Sequence, residues 1–328
     1  MFLGKPVRRI AVVGTGVIGA SWATLYLARG FDVIAIDPAP SAEANLRRYV
    51  DTAWQALATL GFSPKASPEH LWFATDLGQA VAEADFVQES TPDQSELKIK
   101  LFSEMDRLTP PASIIASSSS GLTMTVMQSV CEHPERCVIG RPLNPPHIIP
   151  LVEVVGGEKT SPEAVQQTIS FYASIGRKPI HVRKEVVGHV AHRLQAALYR
   201  EVANLIDQDA LDVAAVDAAV CWGPGLRWGV MGPTLLFHLG GGSGGIHHFM
   251  EHFAGPMTAL WKDLGNPELT PKLKQTIIDG ALRQAGDRSV EQLARERDKV
   301  SLGLIRLRRK FAGRSTLPAG TARTRRKT

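Results

Sequence analysis

Short apolar runs alternate with stretches of helical period through the first 183 residues of the chain. The runs fall at residues 10–13, 31–36, 71–74, 86–90, 113–116, 138–140, 151–155 and 179–182, each of strand length. Between them, apolar positions recur every three or four residues. Trp22, Leu25 and Leu27 form one such stripe, as do Leu46, Val50, Trp54, Leu57 and Leu60 within 41–60, and Leu97, Leu101, Met105 and Leu108 within 96–108. Ser41, followed by Ala42 and Glu43, marks the start of the second of these helices, and 77–84 reads as a short helix. Strand and helix in this alternation predict a mostly parallel sheet covered on both faces. Beyond Gly188 the strand runs vanish. Residues 190–208, 212–221 and 290–310 carry helical spacing, the last with Leu293, Val300, Leu304 and Leu307 on one stripe. The pattern predicts an α/β domain over 1–185, an all-helical domain over 186–312 and an extension over 313–328.

The joint between the first two strands carries the candidate chemistry. The run 10–13 leads into Gly14-Thr15-Gly16-Val17-Ile18-Gly19, then a helix, then a second strand closing on Asp37. A tight turn needs Gly14, close approach of a pyrophosphate needs Gly16, and close packing of helix on strand needs Gly19. The helix start at Val17 and Ile18 offers unpaired N–H groups to phosphates. Asp37, about 20 residues on, is placed to accept the hydroxyls of an adenosine ribose. A carboxylate there repels a 2′-phosphate, so the turn predicts a Rossmann site for NAD rather than NADP.

Length and charge add bounds. At 328 residues the chain has room for two domains. It carries no apolar run of transmembrane length, and its first nine residues are too short and polar for a signal peptide, so a soluble, cytoplasmic protein with no membrane role is predicted. Three cysteines, Cys131, Cys137 and Cys221, form no CxxC and suit reduced thiols. Neither the CEHPERC segment around His133 nor His247, His248 and His252 matches a zinc pattern, so no metal is predicted. The net charge is +5, yet nine basic residues and no acid lie between Arg306 and Lys327; the body of the chain is net negative. The basic end reads as a solvated extension, and no nucleic-acid partner is predicted.

Two further segments, together with the glycine turn, carry a family resemblance: Asn144-Pro145 followed after a short gap by Leu151-Val152-Glu153-Val154-Val155, and the strand end Ser117-Ser118-Ser119-Ser120. Over residues 8–310 the chain resembles the 3-hydroxyacyl-CoA dehydrogenase superfamily. The resemblance implies oxidation of a secondary alcohol at the 3-position with hydride transfer to NAD. It implies cofactor contacts from Asp93, Lys98, Ser117 and Asn144 in addition to the glycine turn, and a homodimer through the helical domain. In the family a histidine accepts the hydroxyl proton, a glutamate holds that imidazole, and a serine binds the substrate oxygen. Glu153 and Ser117 match. The histidine position is Arg141, which stays protonated and cannot act as a base. An inactivating substitution is the first reading, a base moved to His147 or His192 the second. A non-catalytic NAD-binding protein, as crystallins borrowed from this superfamily are, comes from another class.

The second domain bears on the substrate. Its segments Gly225 to Pro233 and His238 to Met250 resemble the small-substrate branch, whose members oxidise hydroxy acids such as carnitine and L-gulonate; CoA esters are the alternative. His192 stands where the family usually places a substrate-facing asparagine. A trimethylammonium favours aromatic faces, for which Trp222, Trp228 and Phe237 are candidates, and a carboxylate favours Arg227 or Arg193.

Overall fold

A computed structural model describes residues 6–312; the predicted basic extension over 313–328 and the extreme N-terminus lie outside them. The described chain divides into two compact units between Ala196 and Ala197.

The first unit is built on one eight-stranded sheet. Its strands are β1 (Arg9–Val13), β2 (Asp32–Ile36), β3 (Leu71–Phe73), β4 (Phe86–Glu89), β5 (Ile114–Ser117), β6 (Cys137–Pro142), β7 (Leu151–Gly156) and β8 (Lys178–His181). They lie in the order β3-β2-β1-β4-β5-β6-β7-β8. Neighbours are parallel except β6 and β7, which follow one another without a helix and pair antiparallel. The predicted Rossmann-type, mostly parallel sheet is therefore present. Its chain order reverses between β1 and β4, and open α/β sheets take their ligands at such a reversal, beyond the carboxyl ends of the strands.

Alternation along the strands makes the two layers. Ile10 and Val12 point to one face, where they pack with Trp22, Phe86, Phe171 and Tyr172. Ala11 and Val13 point to the other, with Phe102, Met105, Ile115 and Ile139. The helices of this unit are α1 (Val17–Ala28), α2 (Ala42–Ala58), α3 (Leu77–Val81), α4 (Ser95–Leu108), α5 (Met124–Met127) and α6 (Pro162–Ser174), followed by α7 (Ala191–Asp207), which runs across the division. Helix α1 is apolar all round and buried along most of its length, and Gly30 stops it in the left-handed region at φ +83. Helix α6 is an addition to the elements read from the sequence. Ser161 caps it by accepting from the Ala164 amide, Pro162 opens it, and it buries Phe171 and Tyr172 against the sheet. Helix α2 starts at Ala42 with Ser41 before it, as read from the sequence, but Ser41 sits at φ 64 and its side chain caps nothing.

The second unit is helical, as the loss of strand patterning predicted. It holds the rest of α7, α8 (Val213–Trp222), α9 (Pro224–Trp228), α10 (Pro233–Gly240), α11 (Gly245–Asp263), α12 (Pro271–Ala285) and α13 (Val290–Ala312). Its buried core is small, centred on Ala203, Ile206, Val213, Val216 and Leu273.

Candidate active site

The glycine turn lies at the β1–β4 reversal. Gly14 has φ +88, and a Cβ on it would meet the Ser90 and Thr91 backbone at 2.9 Å. A Cβ on Gly19 would meet the Gly14 carbonyl oxygen at 1.8 Å, so helix α1 can lie this close to β1 only with glycine there. Gly16 differs: nothing lies within 4 Å of its Cβ position, and Val17 beside it is 60% exposed. The start of α1 has no side-chain cap. Bare amides over open space are what a pyrophosphate requires. At the end of β2, Asp37 is held in place as it accepts from the Thr15 amide at 2.7 Å, the Thr15 hydroxyl at 3.2 Å and the Ala39 amide at 2.9 Å. These residues fit a dinucleotide with an unphosphorylated ribose.

Strand register assembles a second set of polar side chains on one face of the sheet. Glu89 is the register partner of Ser117 across β4 and β5, and Arg141 is that of Glu153 across β6 and β7. Ser117 pairs with Ile139, two residues before Arg141, so all four side chains leave the sheet on the same side. The Ser117 hydroxyl donates to Glu89 Oε2 at 2.5 Å and accepts from the Ser119 amide at 3.1 Å. Glu89 Oε1 accepts from Lys98 Nζ at 2.6 Å and from the amide and hydroxyl of Thr91, both at 2.5 Å. Glu89, Lys98 and Ser117 are all fully buried. Asp93 follows β4. Its Oδ2 accepts from the Ser120 and Gly121 amides at 3.0 and 2.9 Å, and its Oδ1 lies 3.6 Å from Lys98 Nζ. Burial pushes the Asp93 carboxyl up, but bonds from Ser119, Ser120 and Gly121 and the Lys98 charge outweigh it, leaving the group below the ordinary carboxylate range.

Arg141 is buried with its Nη1 2.6 Å from Glu153 Oε2. The other Glu153 oxygen accepts from the Val190 and Ala191 amides at 2.8 and 2.9 Å, so this carboxylate also satisfies the first turn of α7. His189 sits against the same group. Its Nε2 lies 3.1 Å from the Ser119 carbonyl oxygen, and its buried Nδ1 has no hydrogen-bond partner. Burial holds the imidazole below its ordinary pKa. The Ser119 carbonyl, Glu153 and Asp93 pull it upward and Arg141 pushes it further down.

The remaining first-unit candidates lie outside this hydrogen-bonded set. His147 is buried, with Nδ1 2.7 Å from the Ser21 hydroxyl and its ring edge-on to Tyr49. His192, Asn144 and Arg193 are exposed on the first unit, where Arg193 donates to the Val187 carbonyl at 3.4 Å. In the second unit Trp222, Arg227 and Trp228 are exposed, while Phe237 stacks on Phe249 with ring centroids 4.6 Å apart. The His248 and His252 rings lie 4.0 Å apart, tilted by 36°, and the described residues contain no group of three or more potential metal ligands. No helix among them is long and apolar enough to cross a membrane. Sequence reasoning missed Glu89 and His189. The signal for Glu89 was an acid ending a buried strand at the chain reversal; for His189 it was a histidine beside Gly188 just ahead of a helix start.

The chain matches the family model of the 3-hydroxyacyl-CoA dehydrogenase NAD-binding domain over residues 9–186 and that of the C-terminal domain over 188–279. It is 47% identical to the L-carnitine dehydrogenase of Streptomyces griseus, covering 92% of this chain and 90% of that one. With the L-carnitine dehydrogenase of Bacillus cereus it shares 42% identity over 94% and 95% of the two chains. Among solved structures, it resembles 5-formyl-3-hydroxy-2-methylpyridine 4-carboxylic acid 5-dehydrogenase, an NAD+-dependent dismutase. The TM-score is 0.79 at 30% identity, covering 94% of this chain and all of that one.

Proposed function

The chain belongs to the 3-hydroxyacyl-CoA dehydrogenase family and is an NAD-dependent dehydrogenase, and from that premise we propose that it oxidises the 3-hydroxyl of L-carnitine, slowly, with Arg141 where the family's histidine stands. The observation that carries this reading is similarity near 45% to L-carnitine dehydrogenases over nine-tenths of the chain, joined to a Ser117, Arg141 and Glu153 cluster on one sheet face. L-Gulonate and 3-hydroxyacyl-CoA esters are the alternative substrates. The NAD-binding domain is read as 1–185 and the helical domain for substrate and dimerisation as 186–312.

Bound NAD supplies the hydride acceptor at the oxidised carbon. Gly14, Gly16 and Gly19 give its pyrophosphate room at the start of α1, and Asp37 selects the unphosphorylated ribose. Ser117 binds the substrate oxygen, while Glu89 and Lys98 hold Ser117 in place. Glu153 would orient an imidazole at position 141; here it holds a guanidinium, a donor that steadies an alkoxide but takes up no proton. Proton removal by a positioned base contributes roughly 100- to 10,000-fold. NADH titration and steady-state rates on carnitine, L-gulonate, 3-hydroxybutyrate and its CoA ester test the reading. Arg141→His is expected to raise kcat on carnitine at least about 100-fold with NADH affinity unchanged. Brisk turnover by the unaltered chain, or none by the variant on carnitine, would defeat it. NADH binding without turnover on any of the four substrates, before and after the substitution, would favour the crystallin-like alternative.

A further inference from the structure

A dehydrogenase with arginine in place of its base still has to lose the hydroxyl proton, and the carboxylates nearby already serve donors, Asp93 those of Ser120, Gly121 and Lys98. Glu153 takes three donors, from Arg141, Val190 and Ala191. Glu89 takes four, from Lys98, Ser117 and both donors of Thr91. His147 has its Nδ1 bonded to Ser21. His189 is different. It is 2% exposed, and its Nε2 is within bonding distance of a carbonyl oxygen, which can only accept. Nε2 therefore carries the ring proton and Nδ1 a lone pair, and that Nδ1 is buried without a partner.

We propose that His189 accepts the substrate's hydroxyl proton in this chain. The inference rests on the hydroxy acid reading above. Position supports it. The ring lies against the Ser119 carbonyl, two residues from Ser117, and its backbone neighbours Val190 and Ala191 bind the carboxylate that holds Arg141. It is fixed there at φ 49 behind Gly188, whose amide donates to the Ser120 carbonyl at 3.2 Å. In the step, the C3–H electron pair leaves as hydride to NAD+, the O–H bond breaks to form the carbonyl, and the proton binds His189 Nδ1. Two electrons and one proton are thus accounted for, and Arg141 stabilises the oxygen as charge develops. The charged groups facing the ring are Glu153 from β7, Arg141 from β6 and Asp93 from the loop after β4. The two carboxylates favour the imidazolium formed in the step. Burial keeps the resting ring neutral, ready to accept.

The test compares the full-length chain, His189→Asn, Arg141→His and the double variant. Carnitine turnover and NADH binding are measured from pH 5 to 9, with 15N NMR of the imidazoles in the NADH complex. His189→Asn is expected to lower kcat roughly 100-fold and remove the acid limb of the rate profile, which in the parent lies on the acid side of an ordinary imidazole because burial lowers the His189 pKa. NADH affinity should hold. In the Arg141→His background the loss should be at least tenfold smaller, because a second imidazole is then present. The resonances should report an Nε2–H tautomer for His189. His189→Asn retaining the parental rate and acid limb overturns the proposal, as does a parent without turnover beside an active Arg141→His, or an Nδ1–H tautomer. If neither the parent nor Arg141→His turns over any of the four hydroxy acids, the substrate reading fails on its own, and the tautomer decides the case of His189.

Discussion

Lys98 has no exposed surface and sits on Glu89, which also holds the Ser117 hydroxyl. Removing one member of a buried ion pair strands the other charge without solvent, at a cost of about 3–5 kcal/mol. Lys98→Met should therefore destabilise the protein by that amount in chemical denaturation, and any weakening of cofactor binding should be secondary to it. Stability near that of the parent would show that Glu89 takes up a proton or repacks on its own. Lys98 was legible in the sequence only through family resemblance, as a residue near the cofactor. Its buried partner was not, because residue spacing along β4 and α4 does not reveal a contact set by strand register. Position 141 differs in kind: the departure from histidine is plain in the sequence, but its pairing with Glu153 is a cross-strand contact that needs the antiparallel β6–β7 pair. Glu153 also caps the first turn of α7. A kinetic deficit on changing it is therefore partly a helix-capping deficit, worth about 1 kcal/mol.

At the level of elements, strand, turn and helix around Gly14 to Gly19 divide the glycines into packing positions and an approach position. Gly19→Ala forces a methyl into the Gly14 carbonyl and should cost about 1–3 kcal/mol, since neither α1 nor β1 can move away cheaply. Gly16→Ala meets open space at an ordinary φ of −58, so stability should stay within about 1 kcal/mol while NADH affinity falls at least about tenfold. Thermal melts and fluorescence titration with NADH separate the two; an unaffected NADH affinity in Gly16→Ala would count against the dinucleotide reading of the turn. The strands and long helices were readable because apolar runs and 3.6-residue stripes are strong signals. Helix α6 is less legible: Ser161-Pro162-Glu163 is a helix start, but its buried stripe includes Val165, Thr168, Phe171 and Tyr172, β-branched and aromatic residues of low helix preference. The helices at 233–240 and 245–263 are hard to read because glycines and histidines interrupt their stripes.

For the molecule as a whole, the second unit presents more apolar surface than a finished exterior should. Trp222 is 79% exposed and Trp261 64%, with Leu235, Leu239, Leu260 and Leu282 also open. Each such side chain removed from water contributes roughly 1.5–3 kcal/mol, which is why exposed apolar faces of this kind mark association sites. A homodimer is the expected solution state. Light scattering at micromolar concentration should return twice the chain mass, and Trp261→Glu should shift it toward monomer; a monomer in the parent would leave these side chains unexplained by self-association. The sheet offers no competing route. At one border β3 has three residues, and at the other β8 has four, with Lys178 bonded inward to the Pro150 carbonyl and Pro179, which lacks a donor, on the open register. Any association of copies is therefore left to side chains and not to backbone ladders, and short borders of this kind work against the ribbon-like stacking that a longer bare margin would template.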